Sequence, residues 1–76
     1  MEQGVKKVLD WFKNNNKREG AIITDQQLLN VLPRISEAYR KDYDETIQKL
    51  IDRGYLRKNS KQQLALTDIG ERAIYQ

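Results

Sequence analysis

The sequence predicts a mainly helical α+β domain, with a three-helix core, a small β-hairpin and a fourth, C-terminal helix. Apolar residues recur at helical spacing in Val5, Val8, Leu9 and Phe12, and again in Tyr39, Tyr43, Ile47, Leu50 and Ile51. Residues 55–58 and 63–66 flank a polar run, Asn59-Ser60-Lys61-Gln62, in the way two strands flank a turn. The 76 residues suffice for one domain over 1–76, since domains usually hold roughly 100–150.

Val5, Val8, Leu9 and Phe12 stand at i, i+3, i+4 and i+7, with Lys6, Lys7, Asp10 and Lys13 opposite, so a first helix is expected over 3–14. Asn14-Asn15-Asn16 stops it, because asparagine side chains compete for backbone hydrogen bonds. After Gly20, the apolar run Ala21-Ile22-Ile23, rich in β-branching, predicts a brief strand. Thr24 and Gln27 then form the T-x-x-Q pattern of a capping box. Leu28, Leu29, Val31 and Leu32 supply the buried side of a second helix over 25–32, and Pro33 ends it, since the residue before proline avoids helical angles.

A third helix has two candidate starts, Ser36 with Glu37 or Asp42 with Glu45, and both keep the same apolar stripe. Its end is single: Gly54 sits where a glycine closes a helix, with Arg53 in the last turn. In the second hairpin strand, Leu64 and Leu66 alternate with polar or small residues, the pattern of a half-buried strand. Thr67 caps a last helix, with Asp68 and Glu71 in the first turn favoured by the helix dipole. Ile69, Ala73 and Ile74 give that helix an apolar side. The expected core joins Leu28, Leu32, Ile47, Leu50, Ile51, Leu64 and Leu66 to Val8 and Phe12.

Composition narrows the chemistry. Without cysteine there is no disulfide or thiol chemistry, and without histidine the commonest general base and metal ligand are missing. Asp42, Asp44 and Glu45 are the one dense carboxylate group, but neighbours on a single helix do not converge as a catalytic or metal site must. The four glycines are isolated, so no phosphate-binding loop is present. Neither an enzyme nor a metal, cofactor or small-molecule substrate is expected. No stretch approaches the roughly 20 apolar residues of a membrane helix, and Met1-Glu2-Gln3-Gly4 does not open a signal peptide. A cytoplasmic protein is the expectation. Fourteen Lys and Arg against eleven Asp and Glu leave a net charge of +3, which suits a nucleic-acid partner.

The run Leu50-Ile51-Asp52-Arg53-Gly54-Tyr55-Leu56, followed by Leu64-Ala65-Leu66-Thr67-Asp68-Ile69-Gly70, resembles a signature of winged helix-turn-helix regulators. It is similar to the L-x-x-x-G-[YLI]-[ILV]…L-x-L-T-x-x-G pattern of the MarR-like and PadR-like transcriptional repressors, and the likeness spans about residues 20–72. It implies a winged helix whose third helix enters the major groove of double-stranded DNA while the hairpin, or wing, touches adjacent backbone.

Between Arg53 and Lys61 lie four positive charges, Arg53, Arg57, Lys58 and Lys61, and no acid. Such a hairpin suits phosphate contact, with Asn59 and Gln62 adding hydrogen bonds; exposed hairpins also carry charge to stay soluble and to block edge pairing. Winding the third helix with Ile47, Leu50 and Ile51 inward turns Lys41, Asp42, Glu45, Gln48, Lys49 and Asp52 outward. Gln48 suits adenine, Lys41 and Lys49 suit guanine or phosphate, and Glu45 suits cytosine. Asp42 and Asp52 oppose the backbone, which Arg34 and Arg40 offset. The DNA-contact set is therefore Arg40, Lys41, Glu45, Gln48, Lys49, Arg57, Lys58, Asn59 and Lys61. Tyr39 and Tyr43 fit core packing with a wet hydroxyl, or phosphate or base contact through that hydroxyl; Tyr55 is expected partly buried under the wing. Trp11 and Tyr75 bring aromatic surface to the terminal helices, so a homodimer is expected. A protein–protein adaptor is the rival role, favoured by the mixed charge of the third helix.

Overall fold

The computed structural model describes residues 3–32 and 37–75, and for residues 37–42 the backbone alone. Among them the elements run α1 (Gln3–Asn14), β1 (Ile22–Ile23), α2 (Asp25–Val31), α3 (Glu37–Asp52), β2 (Leu56–Lys58), β3 (Leu64–Leu66) and α4 (Asp68–Ile74). This is an α+β arrangement of four helices and one antiparallel sheet.

The full apolar stripe of α1, Val5, Val8, Leu9 and Phe12, is buried. Its C-terminus closes with Lys17 N–H donating to Phe12 O at 2.9 Å and Asn16 N–H to Lys13 O at 3.0 Å. Asn16 takes a left-handed φ of 55°, which asparagine tolerates better than most residues. The expected capping box opens α2: Thr24 Oγ1 accepts from Gln27 N–H at 3.2 Å, and Gln27 Oε1 accepts from Thr24 N–H at 2.9 Å. Pro33 and Arg34 lie outside the described residues.

Of the two candidate starts for α3, the earlier one holds, at Glu37. The side chains of Tyr39, Arg40, Lys41 and Asp42 lie outside the described residues. The end of α3 has the geometry a C-terminal glycine allows. Tyr55 N–H reaches Leu50 O at 3.0 Å and Gly54 N–H reaches Ile51 O at 3.0 Å, with Gly54 at φ +78°. The crossing of α1 over α3 is close: a Cβ on Gly4 would meet Thr46 Oγ1 at 2.6 Å.

The sheet order is β1-β3-β2, antiparallel throughout. Leu56 pairs with Leu66, Arg57 with Ala65 and Lys58 with Leu64, while Ile22 pairs with Ala65 and Ile23 with Leu64. Because β3 is the central strand, Ala65 is flanked by Ile22 and Arg57 and is buried like its two leucine neighbours. The expected alternation on β3 is thus blunted to a wholly buried strand.

One buried cluster joins Val5, Val8, Leu9, Phe12, Ile23, Leu28, Leu50, Leu56, Leu64, Leu66 and Ile74. Leu32, Ile47 and Ile51, expected in the core, are half-buried and pack against its edge, as do Tyr43 and Tyr55. On α4 the expectation needs correction. Ile74 and Gly70 face inward, whereas Ala73 is exposed and Ile69 is 48% exposed. Residues 70 and 74 are one turn apart, so the face they share carries the packing and the next face falls to solvent.

The residues of the sequence signature lock α4 to the end of α3. Thr67 Oγ1 donates to Gly54 O, lies 3.0 Å from Tyr55 O and accepts from Gly70 N–H at 2.9 Å. A Cβ on Gly70 would collide with the Tyr55 carbonyl oxygen and stand 2.7 Å from Leu66 Cδ1. Gly70→Ala is therefore expected to cost about 1–3 kcal/mol, the usual penalty for overpacking. Thermal unfolding followed by circular dichroism checks it, and an unchanged midpoint would show that α4 can slide away without cost.

Candidate nucleic-acid interface

The hairpin is built by its own side chains. Asn59 Oδ1 accepts from Lys61 N–H at 2.8 Å and Gln63 N–H at 3.0 Å, and Asn59 Nδ2 donates to Gln63 Oε1 at 3.3 Å. Gln62 N–H closes the turn onto Asn59 O at 3.0 Å, and Asn59 N–H pairs with Gln63 O at 2.9 Å. The half-buried carboxamide of Asn59, expected to face DNA, is thus engaged inside the turn. Gln62 holds a φ of +62° where such loops favour glycine. Relieving that left-handed conformation with Gln62→Gly should stabilise the chain by about 0.5–1 kcal/mol, net of glycine's added entropy cost. A denaturation midpoint that falls instead would contradict it.

This turn presents Arg57, Lys58 and Lys61 as exposed cations, and none of their side chains enters a hydrogen bond or ion pair with another of the described residues. Strand alternation separates them. Lys58 shares the face of buried Leu56 and Leu64, toward the helices, whereas Arg57 shares the face of Ala65 and Ile22 on the reverse side. Lys61 sits at the tip. Arg53, the fourth basic residue of the run, lies at the end of α3 with interactions of its own.

Lys58 borders a cleft of about 430 Å³ between α2, α3 and the hairpin. Its apolar lining is Leu28, Ile47, Ile51 and Leu64; Asp25, Asp44, Gln48 and Gln62 add polar groups. On α3, Asp44, Glu45, Gln48 and Asp52 are exposed, and Gln48 Nε2 donates to Asp52 Oδ1 at 2.8 Å. Lys49, expected outward, is half-buried and already engaged, since it lies three residues after buried Thr46 and beside buried Leu50. The exposed face of α3 over residues 43–52 is therefore acidic, more so than the sequence suggested.

Trp11 and Tyr75, from which a homodimer is expected, are half-buried and covered within the chain. Trp11 packs edge-on against Phe12, ring centroids 5.0 Å apart, with Lys17 Nζ 5.9 Å from its own centroid. Tyr75 donates its hydroxyl to Lys17 O at 2.7 Å and lies under the Arg18 guanidinium at 4.2 Å. The large hydrophobic left exposed among the described residues is Ile69. Sequence reasoning missed this basic and aromatic corner. Its signal was present in residues 3–18, where five cations face one acid.

Among the described residues no carboxylate group gathers as a metal ion would require, and no helix is long and apolar enough to cross a membrane. Comparison with known proteins returns no matching family, no matching curated protein and no matching solved structure.

Proposed function

We propose that the chain is a single winged helix-turn-helix domain that binds double-stranded DNA and serves as a transcriptional regulator. The β2–β3 hairpin is the wing and lies along the phosphate backbone, while α3 enters the adjacent major groove. The observation that carries this proposal is the group of exposed cations on the hairpin, Arg57, Lys58 and Lys61, which have no ion-pair partner among the described residues, with Lys58 bordering a cleft walled by α3. The element order, the β1-β3-β2 sheet and the Gly54–Thr67–Gly70 lock agree with the winged-helix resemblance. Arg40 and Lys41 bring positive charge to the entering end of α3; Gln48 and Glu45 are its candidates for base edges. Acids on the rest of α3 leave most of the affinity to the hairpin.

Electrophoretic mobility shift on duplex DNA at low and moderate salt tests the proposal. A retarded complex that dissolves as salt rises supports it, and no complex at low salt removes it. A second role, a protein–protein adaptor on the same fold, is favoured by exposed Asp44, Glu45 and Asp52. Those carboxylates suit a basic partner surface better than a phosphate backbone.

A further inference from the structure

The positive charge of this chain is segregated into two places. One is the hairpin run 53–61, with four cations and no acid; the other is residues 3–18, with five cations and one acid. The remaining residues are acidic on balance, so a net charge of +3 understates both patches. In the N-terminal patch, Lys6 is neutralised by Asp10 at 3.0 Å, while Lys7 and Lys13 are exposed on α1 without such a partner among the described residues. The loop after α1 adds Lys17 over Trp11 and Arg18 over Tyr75. A cation on an aromatic face keeps its full charge while its side chain loses freedom, which lowers the entropy cost of meeting an anion.

The two patches face different ways. The buried side of α1 packs against α2, α3 and α4, and it crosses α3 closely at Gly4 and Thr46. The outer faces of α1 and α3 therefore point away from each other, across a molecule whose smallest dimension is 22 Å. The loop joins the sheet at the end opposite the hairpin tip as well. Gly20 and Ala21 bond to Leu66, at the end of β3 away from the turn, whereas the tip follows Lys58 and precedes Leu64. A duplex seated on α3 and the hairpin leaves the α1 face uncovered.

We infer that the outer face of α1 and its following loop, through Lys7, Lys13, Lys17 and Arg18, form a second binding surface for duplex DNA backbone, so that one chain bridges two duplexes. The inference rests on the proposed DNA binding and extends it. Spaced cations without a groove-entering element suit phosphates and carry no base readout, so the second contact is independent of sequence.

The test uses two short duplexes, one carrying a donor dye and one an acceptor, mixed with the full chain at low salt. Anisotropy of one labelled duplex reports single binding; energy transfer reports bridging. The parent is expected to do both. Lys7→Gln/Lys13→Gln/Arg18→Gln should keep single-duplex binding and lose at least tenfold in bridging, while Lys7→Arg/Lys13→Arg/Arg18→Lys retains it. All three positions are exposed, and circular dichroism confirms that each variant folds. Single binding by the parent without energy transfer overturns the inference, as does undiminished bridging by the glutamine variant, the result expected if paired copies of the chain did the bridging. Capture of poly-glutamate without bridging would assign the α1 face to an acidic protein and overturn it too. Absence of any anisotropy change is the distinct outcome that defeats the proposed function itself, and this inference with it.

Discussion

Leu50→Ala is expected to lower the stability of the chain by about 2–5 kcal/mol, the range for emptying a fully buried leucine site. Leu50 has no exposed surface and stands on α3 where α1, β2 and β3 converge in one cluster. Its carbonyl also receives Tyr55 N–H, so the same residue anchors the turn into β2. A chain this short buries only about 60% of its unfolded surface, which leaves little surplus to absorb such a loss. Against a total stability of about 5–15 kcal/mol, the upper part of the range would bring a domain at the low end of that span to its unfolding midpoint at room temperature. Urea denaturation checks this through a lower midpoint at constant slope. Ile51→Ala, at a half-buried neighbour, serves as the internal control and should cost less. The reverse order would contradict the packing of α3.

The largest functional effect is expected from Arg57→Ala/Lys58→Ala/Lys61→Ala. Each cation that engages a phosphate releases counterions, so removing all three should flatten the salt dependence of binding by up to about 3 units of log K against log salt. Affinity should fall on every sequence alike, because phosphate contacts position the protein and do not read bases. The single variants should divide by face. Lys58, on the α3 side, and Lys61, at the tip, carry about one unit each. Arg57 stands on the reverse side of the sheet, so its loss should matter less. Gln48→Ala should act in the opposite manner, costing about 1–3 kcal/mol on a preferred site alone. Equal binding by the parent and the triple variant at every salt concentration would remove the hairpin from the interface.

Local chemistry made most of the fold legible. Thr24 with Gln27, Gly54 and Thr67 fixed element boundaries because each supplies or allows a particular backbone hydrogen bond at a helix end. The 3.6-residue stripe of Val5, Val8, Leu9 and Phe12 needed no tertiary knowledge either. Long-range pairing decided what was misjudged. Ala65 is buried because β3 lies between two strands, and Ile69 is exposed because Gly70 brings α4 onto the Tyr55 carbonyl. At the candidate interface, the run from Arg53 to Lys61 was visible as charge. The separation of Arg57 from Lys58 required the sheet register, and the withdrawal of Lys49 from the α3 surface required the docking of that helix. The stack of Arg18 on Tyr75 joins residues far apart in the chain, which spacing alone does not connect.

The central claim, duplex DNA binding led by the hairpin, is tested most directly by the affinity of the unaltered chain for one duplex across a salt series. With about four phosphates engaged by each chain, from Lys58, Lys61, the cations at the start of α3 and, in part, Arg57, log K should fall against log salt with a slope of roughly −3 to −4. No binding even at low salt would contradict the claim and give the acidic face of α3 to a protein partner.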